Sequence, residues 1–337
     1  MDSMKVAITG VAGFLGSHMA DHFLAQGWEV AGVDNLLGGY KSNIPEGVEF
    51  FETDATEPEN LHKAFEGADI VLNTACTAYE GLSVFSPALI VRNTSLLVAS
   101  VMSASVKCGV RKVVQYSSMA RYGTQDVLPY TEDMTPKPQD PYGISKYEAE
   151  RLVANIATTH GLDYTIMVPH NIIGPRQKYD DPYRNVASIM TNRMLQGKQP
   201  IIYGDGTQQR CFSFIQDVIN PSALAATTDI ADGRVVNIGP DEETITINQL
   251  AEKLAGIIGF DLDPIYMPGR PQEVYRAECS SELARELLGY ETSTTLDEGL
   301  RELVEWIGSQ GIKPFTYHLP LEFTTDKTPK TWSERLM

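Results

Sequence analysis

The opening strand–turn–helix constrains the fold more than any other stretch. Residues 4–9 (MKVAIT) form a short apolar run closed by Gly10, the pattern of a strand covered on both faces. Gly10, Gly13 and Gly16 follow at G-x-x-G-x-x-G spacing and lead into a predicted helix over residues 14–26. Glycines at these positions let backbone approach a pyrophosphate closely, and the helix N-terminus offers unpaired N–H groups with a partial positive charge. The next apolar run, 29–33, ends in Asp34, 18 residues past Gly16. A carboxylate at that strand end can accept both adenosine ribose hydroxyls and repels a 2′-phosphate, which points to NAD in preference to NADP.

The alternation continues. Strands are predicted at 49–53, 70–74, 112–116 and 163–168, and helices at 61–65, 88–107 and 142–160. Strands and helices in this rhythm make an α/β fold, a doubly wound parallel Rossmann-type sheet, with ligand in the crevice outside the carboxyl ends of the strands. Gly10, Asp34, Asp54 (a candidate for the adenine edge), Ser118 and Tyr142 all fall at or near such ends. Past residue 170 prolines and glycines become frequent. Helices are expected at 185–196, 247–258, 282–288 and 296–308, with a strand at 234–238. This pattern suggests residues 1–170 as the NAD-binding domain and 171–312 as a smaller mixed α/β lobe interleaved with it over the crevice. Residues 313–337 form a tail to which the sequence assigns no role.

The formal charge of −17, with no basic stripe to offset it, argues against nucleic acid or an anionic membrane as partner. A phosphate-bearing ligand would need the few arginines gathered locally. Arg176, Arg184, Arg210 and Arg270 are the candidates, and a pair meeting over the cleft suits a diphosphate. The four cysteines lack metal-ligand spacing, so no metal site is expected and thiols reduced in the cytoplasm are the default. No apolar run is read as reaching the length of a membrane span, and Met1–Ser3 lead into the first strand without a signal-peptide pattern.

The chemistry concentrates between Ser117 and Lys146. Tyr142 and Lys146 are four apart, hence on one face of a helix. A free phenol titrates near about 10, and a neighbouring ammonium favours phenolate, bringing it towards the range of a general base. Ser118, at a strand end, can share the same substrate oxygen.

Together these residues resemble the extended short-chain dehydrogenase/reductase family, in its nucleotide-sugar epimerase/dehydratase branch and most like the UDP-sugar 4-epimerases. The resemblance covers roughly residues 4–310. It rests on Thr9-Gly10-x-x-Gly13-x-x-Gly16, Asp34-Asn35, Asp54, Asn93, Ser118, Tyr142-x-x-x-Lys146, Asn171 ahead of Gly174-Pro175-Arg176, Gly204-Asp205-Gly206, Arg210 and Arg270-Pro-Gln-Glu273-Val. It implies Ser118, Tyr142 and Lys146 as the catalytic set. It adds Phe14, Leu15, Asn35, Ala55, Ala75 and Asn93 to the NAD contacts. Asn171, Arg210 and Arg270 would hold the substrate diphosphate, Glu273 its ribose, and Asn185 would line the nucleotide site. Glu80, Ser83, Met119 and His170 are candidates beside the sugar. The implied reaction takes the sugar 4-OH proton onto Tyr142 while hydride leaves C4 for NAD and returns to the other face. A homodimer through the helices at 88–107 and 142–160 is also implied.

Departures from the family pattern narrow the choice. Related 4,6-dehydratases carry an Asp-Glu pair after the hydroxyl residue, and related decarboxylases keep the glutamate. Met119 and Ala120 stand there in this chain, and neither can transfer a proton. Epimerase is therefore favoured. A nucleotide-sugar dehydrogenase or reductase, a dehydratase and a catalytically silent NAD-binding protein stay as alternatives. Seven positions after Arg270, where related 4-epimerases close the pocket beside the sugar C2 substituent, stands Ala277. Its methyl group is expected to leave room for an N-acetyl group.

Overall fold

The computed structural model describes residues 4–337, so Met1–Ser3 lie outside the described residues. Six strands follow the predicted alternation: β1 (Lys5–Thr9), β2 (Glu29–Asp34), β3 (Glu49–Glu52), β4 (Ile70–Asn73), β5 (Lys112–Tyr116) and β6 (Asp163–Pro169). With Val235–Ile238 they make one seven-stranded sheet, ordered Val235–Ile238, β6, β5, β4, β1, β2, β3. Every pairing in it is parallel. Chain order reverses between β1 and β4, and a crevice opens there above the carboxyl ends.

Alternation along β1 explains the layers. Val6 and Ile8 join the core beneath the helices Phe14–Ala25 and Ile215–Thr227. Ala7 faces the other way, into the core beneath Leu97–Cys108 and Pro141–His160. Both helices on that second face stop at a glycine with positive φ, Gly109 at 70° and Gly161 at 75°. Asp140 starts the Pro141–His160 helix, its Oδ1 accepting from the Gly143 N–H at 3.0 Å. Pro141 occupies the first turn, where no backbone donor is needed.

Four features differ from expectation. The strand Val235–Ile238, expected in the second lobe, is the seventh strand of the main sheet and pairs with β6. The helix Ile215–Thr227 was not predicted; Pro221 lies buried within it. The helix expected over 88–107 begins as Pro87–Val91, passes through a π turn at Arg92–Leu96, and resumes as Leu97–Cys108. Finally, Pro87–Cys108 as a whole is long and apolar enough to span a membrane by length and composition, which corrects the expectation that no such run exists. Much of its apolar surface is already committed to the core shared with Pro141–His160.

Candidate functional site

A cavity of about 440 Å³ opens over the carboxyl ends of the sheet, within the range of small-ligand sites. At one end is the glycine turn. Gly10 has φ of 74°, and a Cβ at Gly16 would stand 2.3 Å from the Gly10 carbonyl oxygen, so the turn and helix pack only as glycines. Gly13, Phe14, Leu15 and Gly16 line the cavity, and no side chain caps the helix N-terminus. Its N–H groups are thus available to a pyrophosphate. Asp34 closes β2 with one carboxylate oxygen on the Ala12 N–H (2.9 Å) and the other on the Leu36 N–H (2.7 Å). Burial pushes its pKa up, opposed by these hydrogen bonds.

Asn35, Asp54, Ala55, Ala75 and Asn93 line the same end. The π turn carries Asn93, whose Nδ2 donates to Thr77 Oγ1 at 2.8 Å. Asp54 is already engaged, pairing with Arg92 at 2.9 Å and accepting from the Thr56 N–H. Turn, helix terminus and carboxylate together fit a dinucleotide.

In the middle stand Ser118, Tyr142 and Lys146. Ser118 follows β5 and accepts from the Ala120 N–H at 3.2 Å. Lys146 Nζ donates to the Tyr116 carbonyl at 2.8 Å. Burial holds the Tyr142 phenol well above its ordinary value, Cys76 adds to this, and a hydrogen bond with Ser118 opposes it. The expected depression of the tyrosine by Lys146 is not a property of the protein alone; Lys146 donates to backbone and not to the phenol.

At the far end Arg210 and Arg270 meet on one carboxylate. Arg270 Nη2 donates to Glu273 Oε1 at 2.8 Å, and Arg210 Nη2 lies 3.7 Å from the same oxygen. Asn171 and Asn185 line the wall beside them; Asn185 also caps the helix Val186–Leu195. Glu80 lines the cavity, with its side chain exposed to it. Burial pushes its carboxyl up to about 7, with Asp140 raising it further and Arg210 and Arg270 pulling it down.

Four expected site residues lie off the lining. Ser83 Oγ donates to the Glu80 carbonyl at 2.6 Å and holds the loop. Met119 packs against the cluster of Tyr122, Tyr130 and Cys279. His170 is buried beneath Gly239, and burial drives its pKa down to about 4, so it is no second base. Ala277 packs against that same tyrosine cluster on a two-residue strand beside Arg210, which removes the basis for its role at the sugar C2 substituent. Of the remaining arginines, Arg176 is used in a pair with Asp21 at 2.6 Å. Arg184 does line the cavity, with Nη2 donating to the Gly38 carbonyl at 2.5 Å. The lining also includes Tyr79, Tyr183, Trp332 and Met337, which sequence reasoning did not single out. The last two come from the tail.

A parallel sheet with a dinucleotide cradle and a serine, tyrosine and lysine at its strand ends defines an NAD-dependent enzyme of the short-chain dehydrogenase/reductase type. The chain belongs to the NAD dependent epimerase/dehydratase family, whose profile it matches over residues 6–239. It is 30% identical to a UDP-glucose 4-epimerase of Mycolicibacterium smegmatis, over 90% of this chain and 98% of that protein. The crystal structure of the Thermotoga maritima UDP-glucose 4-epimerase with UDP-glucose superposes with a TM-score of 0.86 at 33% identity, covering 91% of this chain and 99% of that one. A UDP-N-acetylglucosamine 4-epimerase of Methanobrevibacter ruminantium, in complex with UDP-N-acetylmuramic acid, gives 0.84 at 28% identity, covering 92% and 100%.

Proposed function

We propose that this chain interconverts the C4 epimers of a UDP-sugar, with NAD as its resident cofactor. One observation carries the reading: Tyr142 with Ser118 and the Arg210–Arg270 pair line a single cavity. NAD, when bound, takes up and returns the hydrogen of C4, and its oxidised ring supplies positive charge. Tyr142 removes and restores the 4-OH proton, and Ser118 steadies the same oxygen by hydrogen bonding. Lys146 holds its cation beside the tyrosine ring, favouring phenolate. The two guanidiniums share the Glu273 carboxylate and retain one net positive charge for the diphosphate. With Met119 and Ala120 after Ser118, no acid or base stands at the positions that dehydratases and decarboxylases use.

Exposed Val91, Leu96 and Ile144 on the helices Pro87–Cys108 and Pro141–His160 support a homodimer through that face. Residues 1–170 together with Ile215–Thr227 and Val235–Ile238 would form the cofactor domain, and the rest of 171–312 the substrate lobe. Four free cysteines favour the cytoplasm. The test is product analysis by NMR and mass spectrometry after incubation with UDP-glucose, UDP-N-acetylglucosamine and UDP-glucuronate, alongside GDP-, CDP- and dTDP-sugars. A C4 epimer without accumulating NADH is expected. Stoichiometric NADH, loss of water, or activity confined to another nucleotide would overturn the proposal.

A further inference from the structure

The tail is folded into the site. The three relatives described above match this chain over 90–92% of its length but 98–100% of their own, so about a tenth of this chain has no counterpart in them. Family-like motifs stop near residue 310, which places the extra length in 313–337. That segment runs back across the cavity mouth. The Glu322 carboxylate accepts from the Ala88 and Leu89 N–H groups at 3.1 and 2.7 Å, at the start of the Pro87–Val91 helix. Tyr183 donates to the Leu319 carbonyl at 3.2 Å, and Thr331 is hydrogen-bonded to the Tyr203 hydroxyl. Trp332, 5% exposed, donates from Nε1 to the Pro182 carbonyl at 3.2 Å.

The place where Trp332 meets the cavity matters. A sugar must lie between the reacting oxygen at Tyr142 and the diphosphate at Arg210 and Arg270. Glu80 marks that interval, being within electrostatic reach of Tyr142 on one side and of both arginines on the other. Gly81 is its chain neighbour. A Cβ built on Gly81 would lie 3.1 Å from Trp332 Cη2 and 3.2 Å from Arg270 Nη1, so the indole edge fills the space that glycine leaves. Trp332 also belongs to the apolar cluster that holds Tyr142 and Ala120.

We propose that residues 313–337 complete the substrate site and that Trp332 is a specificity-determining residue, the wall against which the sugar ring fits. The substrate class is a UDP-hexose with compact substituents on the side facing Gly81, and a bulky ether or acyl chain there collides with the indole. This rests on the UDP-sugar reading above.

The experiment uses the full chain. Three tryptophans are present, and neither Trp28 nor Trp306 lines the cavity. Replacing both with Phe leaves Trp332 as the sole indole, and its emission is followed while UDP and then UDP-glucose are added, with binding measured separately by calorimetry. UDP-glucose is expected to change the emission beyond the effect of UDP. Binding without any such change overturns the proposal alone, whereas absence of UDP-glucose binding overturns the substrate reading beneath it. In parallel, Trp332→Ala and Trp332→Phe are compared with wild type on UDP-glucose and on the bulkier UDP-N-acetylmuramic acid. The ratio of kcat/KM values is expected to fall at least about tenfold in favour of the bulky sugar for Trp332→Ala, the scale of a pocket contact, and less for Trp332→Phe. A lowered Tm with both sugars affected equally would show a packing role only. If Trp332→Ala does not fold, Trp332→Phe and the emission titration decide.

Discussion

Lys146 Nζ stands 5.8 Å from the centroid of the Tyr142 ring and donates its hydrogen bond to the Tyr116 carbonyl, not to the phenol. The lysine is therefore placed to act on the tyrosine only through space, while burial raises the phenol well above its ordinary value. Tyr142→Phe preserves the ring packing and removes the base. Turnover should fall by about 10²–10⁴-fold, with the Kd for a UDP-sugar little changed. Because the phenol is held above its ordinary value, wild-type kcat should climb with pH on the alkaline side. Lys146→Met, which removes a cation that favours phenolate, should displace that climb to higher pH. A Tyr142→Phe enzyme with near-normal turnover would exclude this role.

Asp34 has two duties, which separate by measurement. Its carboxylate fixes the Ala12 and Leu36 N–H groups, and it is proposed to face an adenosine ribose. Asp34→Ala should narrow the preference for NAD over NADP by removing the repulsive charge. It should also lower stability by about 1–3 kcal/mol, since two backbone donors lose their acceptor. Asp34→Asn keeps an acceptor without the charge, so it should narrow the preference with a smaller loss in Tm. Tighter binding of NADP than of NAD by wild type would refute the assignment.

The first half of the fold was legible because its signals are local. Buried parallel strands are short apolar runs, and glycines sit where backbone meets backbone. Ser118 and Tyr142 were readable because strand ends and helix starts fix their positions. What sequence hid was set by distant contacts. The helix Ile215–Thr227 carries Pro221 in its interior and is held by packing on the sheet. The π turn that carries Asn93 has no local signature. His170 and Ala277 occupy promising positions in the sequence, but their side chains pack away from the cavity. The tail's role depends on Trp332 reaching Pro182, a contact between residues 150 apart that no periodicity encodes.

Glu80 should make substrate binding sensitive to pH near neutrality. Its carboxyl is pushed up to about 7, chiefly by burial, with Asp140 adding to the rise. A diphosphate brings negative charge and favours the protonated form further, so binding takes up a proton. KM should be low on the acid side and rise as pH climbs through about 7. Glu80→Gln is neutral at every pH and should flatten that profile. Stability follows the same sign: a folded-state pKa above the ordinary carboxyl value gives a contribution present at low pH and lost as pH rises through about 7. Glu80→Gln should therefore raise Tm more at about pH 8 than at about pH 5. Identical KM profiles for the two enzymes would remove Glu80 from the site's electrostatics.

Beneath Ser118 lies a buried ion pair. Arg121 Nε is 2.8 Å from Glu150 Oε1 and 3.0 Å from Oε2, both side chains are 4% exposed, and Ser117 Oγ donates to the same carboxylate. Arg121→Met strands a buried carboxylate and should cost about 3–5 kcal/mol. Removing the partner as well, in Arg121→Met/Glu150→Leu, should recover much of that loss, because no charge is left unpaired. Chemical denaturation of the two single variants and the double variant gives the coupling directly. Additive losses would mean that the pair contributes nothing as a pair.

The helices Pro87–Cys108 and Pro141–His160 carry the surface proposed for self-association. Ser95 Oγ, on the π turn, donates to Glu148 at 2.7 Å and ties the two helices together. Val91, Leu96 and Ile144 remain 42%, 47% and 51% exposed on these adjoining elements, large apolar side chains that their own chain covers only by about half. A charge placed among them would be desolvated in a dimer but hydrated in a monomer. Leu96→Asp with Ile144→Asp should therefore shift the mass seen by light scattering at micromolar concentration from dimer to monomer. Tm of the monomeric fold should change little, since these positions face solvent within one chain. Tyr142 and Lys146 sit on the same helix as Ile144, so the double variant should also show whether turnover depends on association. Wild-type protein that is monomeric at that concentration would rule out the dimer.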